Sequence, residues 1–232
     1  MDASAVAMDA SAVAFERATI ESDGETLAAR WYAGDEDAAL PVVVLSHPHT
    51  KFGGSSGMMD GLARELVVRG RLRVLCVDTR GAGRSSGAAT WTGWDEVKDV
   101  RAACRYAGAG GRNVVLLGTS GAAPFAGTAS LSEDVCVATV QMGYTCGYLC
   151  SVLWRGHFGP YFSSPKPKLF LHGSKDEHTS VPQLKSWIRR APDAAELEVF
   201  EGVGHYELES PSYDGDVAAR IVRFIADRGL RA

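Results

Sequence analysis

Val114-Val115-Leu116-Leu117-Gly118-Thr119-Ser120-Gly121-Ala122-Ala123 decides how this chain folds. An apolar, β-branched run ends in small residues around a serine, and a helix-compatible stretch follows. That pattern describes a strand turning sharply into a helix, with a hydroxyl standing at the bend. The bend demands small neighbours, because the serine is held in a strained backbone conformation and strand and helix come close together. Ser120 is therefore a candidate nucleophile. Read alone, the same residues also describe an ordinary helix start capped by Ser120 or Thr119.

The downstream chain separates the two readings. Lys168-Leu169-Phe170-Leu171-His172-Gly173 reads as a buried strand running into the polar loop Ser174-Lys175-Asp176-Glu177. Glu196-Leu197-Glu198-Val199-Phe200 alternates like a strand and leads to Glu201-Gly202-Val203-Gly204-His205-Tyr206. Singly, Asp176 reads as a turn residue and His205 as a loop residue. Together with Ser120 they place a hydroxyl, an acid and an imidazole at the carboxyl ends of three successive strands, where sites in open α/β sheets lie. A serine hydroxyl is a poor nucleophile until a positioned imidazole takes its proton. The imidazole in turn needs a carboxylate on its other nitrogen to fix the tautomer and stabilise the imidazolium. The expected catalytic set is thus Ser120, Asp176 and His205, with Glu177 as the alternative acid and His178 as the alternative base.

Pro41-Val42-Val43-Val44-Leu45-Ser46 reads as another buried strand, ending in His47-Pro48-His49-Thr50-Lys51-Phe52-Gly53-Gly54. A backbone amide from this loop, paired with the amide after the nucleophile, would hold a developing oxyanion. These amides are assigned to His49 and Gly121, since Pro48 has no amide hydrogen. A His-x-His pair can also bind metal. No accompanying carboxylate or cysteine cluster follows, so no metal is expected.

The chain resembles the α/β-hydrolase superfamily over roughly residues 14 to 230. The resemblance rests on HPHTKFGG, DTRGAGRSSG from Asp78 to Gly87, GTSGA, HGSKDE and GVGHY, and on the chain order serine, acid, histidine. The first two segments are similar to small, cap-poor hydrolases of the dienelactone-hydrolase-like and serine-aminopeptidase-like groups. One departure is that Ala122 stands where the usual Gly-x-Ser-x-Gly elbow has its last glycine. The resemblance implies a serine hydrolase acting on a carboxylic ester or thioester through an acyl-enzyme, without metal or organic cofactor. Alternatives are a peptidase or amidase, and a hydrolase-fold receptor that binds a small molecule with little turnover.

The remaining chain fits an α/β fold: a mostly parallel central sheet with helices on both faces. Ala14–Ile20 and Glu25–Tyr32 suggest a hairpin around Ser22-Asp23-Gly24. A helix at about 57–68 turns Met58, Leu62, Leu66 and Val67 inward, and Leu72–Val77 is the next strand. Asp95–Tyr106 is a helix with Val97, Val100 and Cys104 on one face. Val135–Val140 is a strand, 183–190 is helical, and Tyr213–Arg228 is a final amphipathic helix with Val217, Ile221, Phe224 and Ile225 inward.

Residues 143–165 break this rhythm after the sixth strand and read as a short cap, too short for a cap domain. Tyr144, Tyr148 and Trp154 either wall an apolar substrate pocket or pack down onto the sheet. Trp91 and Trp94 carry the same ambiguity. Arg80 and Arg84 either tie loops together or bind an anionic substrate group.

The 232 residues, 46% hydrophobic, suffice for one sizeable core, taken as a single domain from residue 14 to 232. A net charge of −4 gives no electrostatic footprint for nucleic acid or acidic membrane. Five cysteines, an odd number without zinc spacing, read as reduced thiols of a cytoplasmic protein. No run approaches a membrane span. The first fourteen residues repeat MDASAVA twice and lack the basic start of a signal peptide; residues 1–13 are expected to be a disordered tail.

Overall fold

In the computed structural model of the protein, residues 9–34, 39–191 and 194–231 are described. The sheet-forming segments are β1 (Phe15–Ser22), β2 (Glu25–Tyr32), β3 (Val42–Ser46), β4 (Arg73–Val77), β5 (Val114–Thr119), β6 (Cys136–Met142), β7 (Lys168–Gly173) and β8 (Ala195–Phe200). They form one eight-stranded sheet in the order β1-β2-β4-β3-β5-β6-β7-β8. Pairing is antiparallel from β1 to β2 and from β2 to β4, and parallel from β4 onward. Asp23 and Gly24 both have positive φ (50° and 83°), the conformation that a tight β1–β2 hairpin requires.

Continuous apolar runs make the central strands because both sheet faces are covered. Along β3 and β5 every residue is buried, and alternate side chains go to opposite cores. Val42, Val44, Val114 and Leu116 face one core; Val43, Leu45, Val115 and Leu117 face the other. The first core is closed by α2 (Trp94–Ala107), α3 (Ala123–Ser130) and α6 (Val181–Ile188). The second lies under α1 (Asp60–Gly70) and α8 (Asp214–Asp227). Each Val or Leu buried this fully contributes about 1.5–3 kcal/mol relative to exposure.

Most of the expected inward faces are found: Leu62, Leu66 and Val67 of α1, Val97, Val100 and Cys104 of α2, and Val217, Ile221, Phe224 and Ile225 of α8 are buried. Met58 is a correction. It is 48% exposed, and Met59 at 3% takes the inward position. The reason is a 3-10 turn over Ser56–Met59 ahead of the α-helix, whose tighter winding shifts the phase by one residue.

Part of the duplicated start lies outside the described residues. Of its end, Ala10–Ala12 form a 3-10 turn capped by Asp9, Val13 is buried in the second core, and Arg64 donates to the Ser11 carbonyl at 2.8 Å. Residues 9–13 are therefore packed onto α1, contrary to a disordered tail running to residue 13. No helix among the described residues is long and apolar enough to cross a membrane.

After β6 the chain forms α4 (Tyr148–Leu153), a 3-10 turn at Arg155–His157 and α5 (Gly159–Ser163) before returning as β7. This is the short cap expected there. It is pinned by the loop joining β4 to α2, whose consecutive carbonyls at Thr90, Trp91 and Thr92 accept from His49 Nε2 (2.9 Å), Trp154 Nε1 (2.9 Å) and His157 Nε2 (2.8 Å). Buried Glu96 of α2 anchors the loop by accepting from the Thr90 amide and hydroxyl, both at 2.5 Å.

Candidate active site

Ser120 ends the β5 turn at φ +51°, the left-handed region that costs a non-glycine residue free energy. The small residues around it are there for space. A Cβ at Gly118 would lie 2.6 Å from the Ala126 Cβ and 2.9 Å from the Ala123 Cα, so strand and following helix could not approach. A Cβ at Gly121 would lie 3.0 Å from the Trp154 ring and 3.3 Å from the His49 Cβ. The same close approach brings residues 49 and 121, the two expected oxyanion donors, side by side. Ala122, the departure from the usual elbow, is buried at 5% exposure and fits without a glycine.

The three elements bearing Ser120, Asp176 and His205 converge as the chain order suggests. Ser120 Oγ lies 2.7 Å from His205 Nε2, and His205 Nδ1 lies 2.6 Å from Asp176 Oδ2. Asp176 Oδ1 accepts from the amides of His178 (2.9 Å) and Thr179 (2.7 Å), which fixes the carboxylate in the loop after β7. With Nδ1 facing a carboxylate, that nitrogen carries the ring proton, and Nε2 is left to accept from the serine. Burial pushes the Asp176 carboxyl up, but the hydrogen bond and charge of His205, with His172 and the Thr179 amide, outweigh it and hold the group below its ordinary value. For His205, burial pulls the imidazole down, while the hydrogen bond and charge of Asp176, with Glu209 and Glu177, raise it above the ordinary value.

Glu177, weighed as the alternative acid, does a different job: its Oε2 accepts from the His205 backbone amide at 3.0 Å. His178 stands edge-on to His205, with ring centroids 4.6 Å apart and its Nε2 3.0 Å from the Tyr206 hydroxyl, but it does not face Ser120 in the hydrogen-bond pattern. Gly143 went unrecognised in the sequence. It directly follows β6 at φ +59°, where a Cβ would sit 3.1 Å from His205 Cε1. The only signal for it was a glycine directly after a strand at the active edge of the sheet.

The histidines of the HPHT loop are not arranged as metal ligands. His47 Nε2 accepts from the Thr79 amide at 3.1 Å and its Nδ1 meets the Pro48 carbonyl at 2.6 Å, tying the loops after β3 and β4 together. Burial lowers the proton affinity of both His47 and His49. Among the described residues no cluster of His, Cys, Asp or Glu could hold a metal ion. Arg80 has the loop-tying role: it grips Asp99 through Nε (3.0 Å) and Nη2 (2.7 Å).

Of the three aromatics weighed for a substrate pocket, Trp154 lies beside the turn that carries Ser120, 2% exposed and packed into the edge of the first core. Its ring borders Gly121 and meets Phe125 at 5.2 Å, His49 at 6.1 Å and Phe52 at 6.4 Å. Tyr144 is corrected: it is fully buried in the first core, stacked on Tyr161 (6.1 Å, 12°) and against Phe170 (5.6 Å). Burying its ring there removes more apolar area from water than a pocket wall would. Tyr148 is also corrected, being 86% exposed on the outer side of α4. Phe52 and Trp91, 65% and 58% exposed, continue the aromatic surface outward from Trp154.

No protein-family model matches this sequence, and no curated protein matches it. Solved structures do. An α/β serine hydrolase homologue from Coxiella burnetii superposes with a TM-score of 0.75 at 20% identity, covering 90% of this chain and 96% of that one. An α/β serine hydrolase without lid from Xanthomonas campestris gives 0.73 at 17% identity, with 92% and 94% covered. An esterase of Pyrococcus furiosus gives 0.71 at 17% identity, with 93% of each chain covered. At such identities the likeness is one of architecture: this chain has the α/β-hydrolase fold.

Proposed function

We propose that the protein is a serine hydrolase that cleaves a carboxylic ester or thioester through an acyl-enzyme. The observation that carries this reading is the unbroken hydrogen-bonded row from Ser120 Oγ through His205 to Asp176, with Ser120 in a strained turn. Structures with the same fold that are named serine hydrolases or esterases support it.

In the proposed mechanism Ser120 Oγ attacks the substrate carbonyl as its proton passes to His205 Nε2. The amides of His49 and Gly121 hold the resulting oxyanion, each such donor being worth about 2.7–4 kcal/mol of barrier. Asp176 keeps the ring oriented and offsets the imidazolium charge. His205 then protonates the leaving oxygen or sulfur as its bond to carbon breaks. Water, deprotonated by the same nitrogen, attacks the acyl-enzyme, and the acid leaves as Ser120 regains its proton. The exposed rings of Phe52 and Trp91, with Phe52 packed on buried Trp154 beside Gly121, suit an apolar substrate group.

The test is a rate panel on p-nitrophenyl esters from acetate to octanoate and on an acyl thioester. Turnover by the wild type, lost by about 10⁴-fold or more in both Ser120→Ala and His205→Ala, is the expected result. Wild-type rates in Ser120→Ala would remove the nucleophile assignment.

A further inference from the structure

Each nitrogen of the His205 ring has a carboxylate near it, and the proposed mechanism uses only the one at Nδ1. Glu209 follows His205 by one helical turn and ends α7 (His205–Leu208). Its side chain is 8% exposed, and Oε1 points to within 3.9 Å of His205 Nε2, the nitrogen that also faces Ser120. That oxygen is buried and makes no hydrogen bond among the described residues. A buried carboxylate oxygen without a donor is costly unless it meets a positive charge or holds a proton. Among the described residues, no Lys or Arg lines the cavity beside it. The small cavity beside Glu209, about 10 Å³, is lined by Pro48, Met58, Met59, Leu62, Met142 and Asp214.

We propose that Glu209 is a positioning residue for His205, a second carboxylate whose charge is matched when Nε2 is protonated. This rests on the serine-hydrolase reading above. When the Oγ–H bond breaks and an Nε2–H bond forms, the positive charge appears between Asp176 on one side and Glu209 on the other. The Oγ electron pair goes to the carbonyl carbon, and no other co-reactant is needed. Asp176 fixes the tautomer from Nδ1; Glu209 makes the imidazolium more favourable from the Nε2 side, where the serine proton arrives.

The charged and titratable groups around this pair are few. His205 faces Asp176, Glu177, His172 and His178 from the β7 loop region, Tyr206 from its own helix, and Ser120 from the β5 turn. Glu209 faces His205 and Asp176, with Asp214 of α8 across the small cavity. Burial pushes the Glu209 carboxyl up, His205 opposes the shift and Asp176 adds to it. Asp214 is itself pushed up to about 7 by burial, with Glu65 contributing, so its charge also changes near neutral pH. Burial lowers the proton affinity of His172, although its Nε2 is 3.8 Å from Asp176.

The experiment is an NMR pH titration of the His205 ring in wild type and Glu209→Gln, run alongside kcat/KM against pH on one p-nitrophenyl ester. Gln keeps the shape of the side chain and removes its charge. The expected result is a His205 midpoint lowered by about one pH unit, with the acid limb of kcat/KM moving by the same amount, since one unit is a tenfold change in proton affinity. KM is expected to stay within about twofold while kcat falls about tenfold. An unmoved His205 midpoint overturns the proposal, because a merely structural Glu209 would change stability and leave the ring titration alone. Should Glu209→Gln fail to fold, Glu209→Met, similar in volume and uncharged, gives the same comparison. The ring titration does not depend on turnover, so a wild type that hydrolyses nothing would count against the serine-hydrolase reading and leave the Glu209 result readable.

Discussion

At the scale of single residues, the site concentrates strain and charge on a few atoms. Ser120 at φ +51° stores about 1–3 kcal/mol that a glycine would not. Ser120→Gly is therefore expected to raise the unfolding free energy by roughly 1 kcal/mol while abolishing turnover; a lower unfolding free energy in urea titration would show that the turn is not strained. The pH dependence follows from His205. Its imidazole is raised above the ordinary value, chiefly against burial by Asp176, and only the neutral ring can take the serine proton. Activity should thus rise with pH through a midpoint above the ordinary imidazole value. In Asp176→Asn the imidazolium loses that support, so the midpoint should move down as the rate drops by about 10⁴-fold. A pH–rate profile on both proteins checks the sign.

At the scale of elements, the active edge depends on contacts between segments far apart in sequence. Gly121→Ala would press a methyl against Trp154 (3.0 Å) and the His49 Cβ (3.3 Å), forcing the two expected oxyanion donors apart. A kcat loss of about 10–100-fold with stability changed by less than about 1 kcal/mol is expected from steady-state kinetics and thermal melts. Trp154→Ala should lower kcat/KM for long acyl esters more than for acetate, because the buried ring backs Gly121 and the exposed Phe52. The positions of Ser120, Asp176 and His205 were legible because each follows a strand pattern, an apolar run for the first two and an alternating one for His205. The cap was legible only as an interruption. Its aromatics carry no sequence mark that separates Trp154, aimed at Gly121, from Tyr144, buried under the same segment. Which ring goes where depends on the carbonyls of Thr90, Trp91 and Thr92, more than fifty residues upstream. Glu209 was invisible for a related reason: a glutamate in a polar turn reads as solvated until the helix start of α8 and Met59 close over it.

At the scale of the molecule, one sheet between two apolar cores carries every loop of the site, and buried polar ties hold those loops to it. Asp99 of α2, fully buried, accepts from the Arg80 amide (2.8 Å) and guanidinium and from the Ser22 hydroxyl (2.7 Å), joining β1, the loop after β4 and α2. Asp99→Ala would leave buried Arg80 with only the looser contact to Asp95 at 3.8 Å, and a loss of about 3 kcal/mol in urea unfolding is expected. The alternation of strands and helices along the chain and the two-sided burial were readable from apolar runs, while this tie was not, since DTRGAGRSSG does not show that Asp99, on the next helix, is the partner of Arg80. The central claim, an activated Ser120, is tested most directly by treating purified protein with a fluorophosphonate and measuring intact mass, wild type beside Ser120→Ala. One adduct on the wild type and none on the variant is the expected result. Equal labelling of both, or none on a folded wild type, would contradict it.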